Sequence, residues 1–318
     1  NTAMTDIFLD RDISGLCAAP YRRSHAGGCG LSVEGLPPLL IPPLPAPFVG
    51  GDISAGLLRL LADGLPRPLL ADLGTNGELA LVDAQGRLWL ASVPLGPALE
   101  GIGPQCGRMA GPGSITHFEV SPLGLSCHSV DGPLAAGADV QGISATGYLS
   151  LLALLLRLGC LDADGHFRTP TSPLARRVAP PPRQSRTGLC LPLPYGQWLA
   201  AADVEELLKV KAAFSQALEA LLRAAGLAAS DVACLALAGA LGEHCPPACL
   251  EELGFLPSGM GRRVRAVGNS SLDGAALLAA EPWRLPALAR WCATATLVPV
   301  AEDPGFHADY LRHMRFGV

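Results

Sequence analysis

The sequence predicts an α/β fold, and three observations carry that reading. Short apolar runs, each about the length of one strand, end in glycine-containing turns at Asp72–Gly77, Gly239–Gly242 and Gly268–Ser271. Two of these turns lead into helical stretches, the arrangement that builds a ligand site at a sheet edge. Between them, Val204, Leu207, Leu208, Phe214, Leu218, Leu221 and Leu222 recur at helical spacing over a segment too long for a strand.

Taken in order, the first 45 residues are rich in glycine and proline, with Leu36-Pro37-Pro38-Leu39-Leu40-Ile41-Pro42-Pro43 at their end. Such a segment makes a poor central strand, because proline donates nothing to a ladder. An amphipathic helix follows up to Leu61, with Asp52 expected as its N-cap. Pro68 to Trp89 reads as strand and hairpin, with a second turn at Asp83-Ala84-Gln85-Gly86. Residues 91–115 form a loop-rich block, and Thr116 to Val130 alternates like strands. The apolar stretch from Ala145 to Leu161, interrupted by Arg157, reads as a buried helix. Pro170 to Arg186 reads as an exposed loop. The long helix opens at Asp203, an acidic N-cap followed by Glu206 at the third helical position, and stops at Gly226. Val232 to Ala238 is apolar on both faces, as a buried strand is, and Arg263 to Val267 is a further short strand. Ala275 to Ala280 is helical.

Composition narrows the function classes. A chain of 318 residues has room for two compact lobes. At 49% hydrophobic and 16% charged residues it is globular, and its net charge of −5 argues against nucleic acid and anionic membrane surfaces as partners. Ala145–Leu161 falls short of the roughly 20 apolar residues a membrane span needs. Asn1 to Asp10 lacks the basic start and apolar core of a signal peptide, and the ten scattered cysteines read as reduced thiols, so a cytoplasmic location is expected. Cys245 and Cys249, beside His244, are the sole metal-like grouping; their Pro-Pro turn and lack of a second pair argue against zinc. No methionine precedes Asn1, which leads us to expect a start inside a larger gene product.

The chemistry concentrates at Pro68–Leu81. Here an acid, Asp72, is followed at once by Gly74-Thr75-Asn76-Gly77 between two apolar runs. Backbone N–H groups approach a phosphate closely where Cβ atoms are absent, so this turn suits a cradle for a Mg²⁺-bound phosphate. The same residues spell a plain β-hairpin, since Asn-Gly between apolar runs is a strong hairpin signal. The two readings are compatible.

Asp72–Glu78, Gly96–Gly101, Cys106-Gly107-Arg108-Met109-Ala110, Gly239–Gly242 and Gly268–Ser271 occur in an order that resembles a known family. The chain is similar to the C-terminal ATPase region of the reductive activators of corrinoid proteins, iron–sulfur proteins of the actin, sugar kinase and heat-shock chaperone superfamily. The resemblance covers nearly the whole chain and implies an actin-like, ribonuclease H-like ATPase fold with its first lobe truncated. It divides the chain into a first-lobe remnant, 1–65, and a second lobe, 66–318. Asp72 would then hold Mg²⁺ through water or orient the attacking water, with Gly74, Thr75, Asn76 and Gly77 lining the phosphates of ATP. The adenosine turn falls on Gly239 and Gly242, and Gly268-Asn269 matches a further family turn. Lys211 matches a family lysine that reaches the nucleotide, or is a solvated helix lysine. Glu100 positions water or metal, or caps the next element.

Two departures from the pattern are expected to weaken nucleotide binding. An earlier Asp-x-Gly-Thr-Thr loop and a cysteine-bound 2Fe–2S domain are missing, and Asn1-Thr2-Ala3-Met4 resembles the segment that follows that loop. Ala240 and Ala145 stand where the family has glycine. By resemblance the chain binds ATP and a corrinoid protein and promotes reduction of Co(II) to Co(I), with electrons from a separate iron–sulfur domain; a homodimer is admitted. The alternative is a degenerate, non-catalytic actin-like module acting through protein partners. A small-molecule kinase is less favoured, because no substrate acid stands out beyond Glu100.

Overall fold

The structure, a computed structural model, describes residues 21–23, 39–186 and 188–317. The expectations attached to Asn1–Met4 and to the Pro-rich run as far as Pro38 lie outside the described residues. Leu39–Ile41, the part of that run that is described, pairs antiparallel with Tyr21–Arg23 in a two-stranded ribbon apart from the main sheet.

Helix α1 (Gly51–Ala62) precedes three consecutive strands, β1 (Leu69–Leu73), β2 (Asn76–Val82) and β3 (Leu88–Pro94). Helices α2 (Ala145–Arg157) and α3 (Ala201–Ala225) follow the loop-rich middle of the chain. The chain then forms β4 (Leu235–Ala238), α4 (Gly239–His244), β5 (Val264–Ala266), α5 (Ser270–Ala280), β6 (Thr296–Leu297) and α6 (Phe306–His313). The six strands form one sheet in the order β5-β4-β1-β2-β3-β6. Only β2 is antiparallel to its neighbours; β1, β4 and β5 run parallel. This is the ribonuclease H-like arrangement that the family resemblance implies.

Alternation along the strands builds a core on each face. Leu69, Ala71, Leu79 and Leu81 pack toward α2 and α3 with Leu207, Phe214 and Leu218. Leu70, Ala80, Leu90 and Ala236 pack toward α1 with Ile53, Leu57 and Leu60. Leu57 is fully buried, and its truncation to alanine costs about 2–5 kcal/mol. On the second face α1 crosses α5 at backbone contact: a Cβ at Gly274 would stand 2.0 Å from the carbonyl oxygen of Ala55. That crossing brings the start of α1 to the carboxyl ends of β1 and β4.

Three local expectations are corrected. Asp52 is not the N-cap of α1; Gly50 is, and Asp52 sits in the first turn, its Oδ1 accepting from Ile53 N at 2.9 Å. Asp203 lies at the third helical position of α3, because Trp198–Ala200 runs straight into the helix. Its carboxylate reaches back to Ala200 N (3.0 Å) and forward in space to Gln105 N (2.9 Å). Pro170–Arg186 is not all loop: Ser172 caps a short helix, Pro173–Val178, whose Ala175 and Val178 are buried, and Arg183–Ser185 is a strand. Proline at the first helical position with serine before it is a helix start that the run of prolines and arginines masks. Among the described residues, no helix is long and apolar enough to cross a membrane.

Candidate nucleotide site

Three strand ends build the site. β1 ends in Asp72-Leu73, β4 ends at Ala238 directly before Gly239, and β5 is followed by Gly268-Asn269. Asp72 pairs with Ala238 across the parallel β1/β4 edge, so the acid and the second turn are neighbours by register. Gly239 N donates to Gly268 O at 2.9 Å and joins the second turn to the third. Both glycines have positive φ, +76° and +56°, a conformation that side chains disfavour. Asp72, Gly239, Glu243, Gly268, Asn269 and Ser271 line one cavity of about 280 Å³. The wall beside the acid is bare backbone, since even a Cβ on Gly239 would approach Asp72 Oδ1 no closer than 3.9 Å.

Asn269 caps α5, its Oδ1 accepting from Leu272 N at 3.0 Å. Ser271 also lines an adjoining cavity of about 490 Å³, walled by Phe48, Asp52, Asn76, Glu78 and Leu272 among others. Glu78 is the cross-strand partner of Asp72, which puts both carboxylates on the sheet face that α1 covers. Burial, and after it the charge of Asp52, raises the pKa of Asp72. Glu78 is pushed up to about 7 by burial, then by Asp52 and Asp72. Among the described residues, none of these three carboxylates forms an ion pair with lysine, arginine or histidine.

The remaining expected residues fall in several places. Gly74 and Thr75 form the turn between β1 and β2, with Gly74 N donating to Asn76 O at 2.9 Å. Thr75 Oγ1 donates to Glu100 Oε1, so Glu100 closes on the turn rather than capping the next element. Gly77 and Gly242 line neither cavity. A Cβ on Gly77 would meet Leu95 Cδ1 at 2.8 Å, and one on Gly242 would meet Leu237 O at 2.3 Å, so both are small for packing.

Lys211 is a correction. It is fully buried, and its Nζ donates to His313 O (3.0 Å) and Arg315 O (2.7 Å), closing the C-terminal end of α6. Burial, then Arg312, lowers its pKa to about 8. The substitutions at 240 and 145 fall within helical backbone, while the positive φ values stay on Gly239 and Gly268. Sequence reasoning missed Asp52 and Glu78 as neighbours of Asp72. The spacing Asp72 to Glu78 across a tight hairpin carried the signal for the second.

The donor set suits a nucleotide: bare backbone at Gly239, the Asn269 amide, and the carboxylates of Asp72 and Glu243. Among the described residues, no group of three His, Cys, Asp or Glu side chains is arranged to hold a metal ion. One or two protein carboxylates fit Mg²⁺ that arrives with phosphates and keeps its waters. The eight described cysteines are buried, unbridged thiols, Cys245 and Cys249 included, and do not fit a four-thiolate iron–sulfur centre.

The fold is that of an actin-like (ASKHA) domain. The profile of the family described as the C-terminal domain of RACo, the ASKHA domain, matches residues 67–317, and the chain belongs to that family. It is 29% identical over 337 aligned residues to the corrinoid activation enzyme RamQ of Eubacterium limosum, covering all of this chain and 55% of that protein. It is 27% identical over 265 residues to a Co(II) methylated amine-specific corrinoid protein reductase of Methanosarcina barkeri, covering 78% of this chain and 45% of the relative. A solved structure of a reductive activator for a corrinoid, iron–sulfur protein superposes with a TM-score of 0.82 at 25% identity, over 100% of this chain and 51% of that one. The chain spans about half the length of the curated relatives it matches.

Proposed function

We propose that this chain is the ATP-binding portion of an ATP-dependent reductive activator, which promotes reduction of Co(II) to Co(I) in a corrinoid protein partner. One observation carries the reading: the carboxyl ends of the parallel strands β1, β4 and β5 bring Asp72, Gly239, Gly268 and Asn269 to a single cavity. Ligands of open α/β sheets bind at such strand ends. The names of the relatives support the corrinoid role.

In this reading Gly239 gives adenosine a stretch of wall without a side chain, Glu243 stands beside Gly268, and the Asn269 amide orients the ligand. With the Gly74 N–H committed to Asn76 O, the turn offers the backbone N–H groups of Thr75 and Asn76 to the phosphates. Asp72 orients the metal-bound or attacking water, and α1 closes the site from the opposite side with Asp52. ATP carrying Mg²⁺ supplies binding and hydrolysis free energy that shifts the activator–acceptor complex toward the electron-transferring state. Electrons come from an iron–sulfur domain, for which the described cysteines offer no seat. A cytoplasmic setting fits this chemistry.

Titration calorimetry of the full chain with Mg·ATP tests the proposal. Saturable heat is expected, and Asp72→Asn weakens it at least about tenfold. No heat at millimolar nucleotide overturns it and favours a binding module that keeps the fold without the ligand.

A further inference from the structure

The turn between β1 and β2 is gripped from one side. Thr75 O accepts from Leu95 N at 3.0 Å and from Gly96 N at 2.9 Å, and the Thr75 hydroxyl donates to Glu100. A carboxylate only accepts, so the single proton of that hydroxyl is committed to Glu100. Glu100 ends the 3₁₀ turn Pro97–Glu100 and opens a closely packed loop. A Cβ on the next residue, Gly101, would lie 2.1 Å from Arg108 O, and Arg108 N donates in turn to Ile143 O at 2.9 Å. Two large apolar side chains of this loop stand open: Ile102 is 51% and Met109 68% exposed.

Phosphate oxygens also only accept hydrogen bonds. A triphosphate seated on Gly74–Asn76 therefore competes with Glu100 for the Thr75 proton, and it adds negative charge beside that carboxylate. Both effects act in the same direction. We infer that the Thr75–Glu100 hydrogen bond is an occupancy sensor: phosphate takes the Thr75 hydroxyl, Glu100 is released, and the loop 101–111 loosens from the β1–β2 turn. The inference rests on the nucleotide reading above. It makes Glu100 a positioning residue acting through Thr75, and it gives nucleotide binding a route to these two exposed apolar side chains.

Hydrogen exchange of the full chain, with and without saturating Mg·ATP, reads this directly, alongside calorimetry on the same samples. Peptides within 97–111 are expected to exchange about tenfold faster with nucleotide, while those within 79–91 stay unchanged. Glu100→Gln, which keeps a weaker neutral bond to Thr75, raises exchange of the loop without nucleotide and tightens Mg·ATP binding about fivefold. Thr75→Val gives a fast-exchanging loop that no longer responds to nucleotide. If calorimetry shows binding but the loop is unchanged or slowed, the sensor is overturned and the nucleotide reading stands. If nothing binds, both fall.

Discussion

The β1–β2–β3 meander carries carboxylates at both ends, buried at one and half-buried at the other, and they have opposite fates. At the tight turn between β2 and β3, Asp83 is 3% exposed and fully engaged. It accepts from Gln85 N (2.9 Å), Arg87 N (3.0 Å), Arg87 Nε (2.7 Å) and Trp89 Nε1 (3.0 Å). Burial alone pushes its pKa up, yet the bonds from Trp89, Arg87 and Gln85 outweigh burial and hold it at about 2. At the other end, Asp72 and Glu78 face each other beside Asp52 with no cationic side chain among the described residues, and both carboxyls are raised. The same chemistry on neighbouring strands therefore serves two purposes. Asp83 neutralises its charge inside the fold, whereas the carboxylates at the Asp72 end have no cationic partner among the described residues, which is where the proposed Mg·ATP would supply one.

Asp83→Ala is expected to have the largest effect. It strands the Trp89 and Arg87 donors and costs about 3 kcal/mol in urea denaturation. Because the folded pKa of Asp83 is depressed, its contribution is complete above the ordinary value of 3.8 and disappears as pH falls toward 2. Asp72→Asn reverses the pattern. Stability holds or rises, since an unpaired half-buried charge is removed, while Mg·ATP affinity in calorimetry falls about thirtyfold, or ~2 kcal/mol.

Glu78→Gln tests the other acid. Its folded pKa is raised, so the native state binds more protons between its ordinary 4.5 and about 7, and wild-type stability falls as pH rises through that window. The variant flattens this slope, an effect of about 1 kcal/mol after allowance for the partial exposure of Glu78. The smallest effect belongs to Lys211→Met. Lys211 spends its hydrogen bonds on the carbonyls of His313 and Arg315, and Mg·ATP affinity is expected to stay within about twofold of wild type. A tenfold loss there would return Lys211 to the ligand site.

Much of the fold was legible because local pattern and tertiary role agree. The strands at Leu69–Leu73 and Leu235–Ala238 are apolar runs stopped by glycine, Asn76–Val82 runs into the Asp83–Gly86 turn, and α3 keeps helical spacing up to Gly226. Asp72, Gly239, Gly268 and Asn269 were legible in the candidate site because strand-end turns announce themselves. The rest depended on contacts between residues distant in sequence. Lys211 is buried by carbonyls about 100 residues downstream, which helical periodicity does not report. Asp52 reaches the site because α1 crosses α5 at Gly274, and Glu78 joins it through strand register. Gly77 and Gly242 look like ligand glycines in the motif, yet their missing side chains make room for Leu95 and for the carbonyl of Leu237.

The central claim is that the cavity between Asp72, Gly239, Gly268 and Asn269 holds the nucleotide. A crystal structure of the full chain with Mg²⁺ and a non-hydrolysable ATP analogue tests it most directly. The account predicts adenosine against Gly239 and Gly268, with phosphates at the Gly74–Asn76 turn and the metal on the Asp72 side. Nucleotide seated instead in the mostly apolar cavity of about 510 Å³ beneath Arg312 and His313, which Leu218, Leu222 and Phe255 also line, would contradict it.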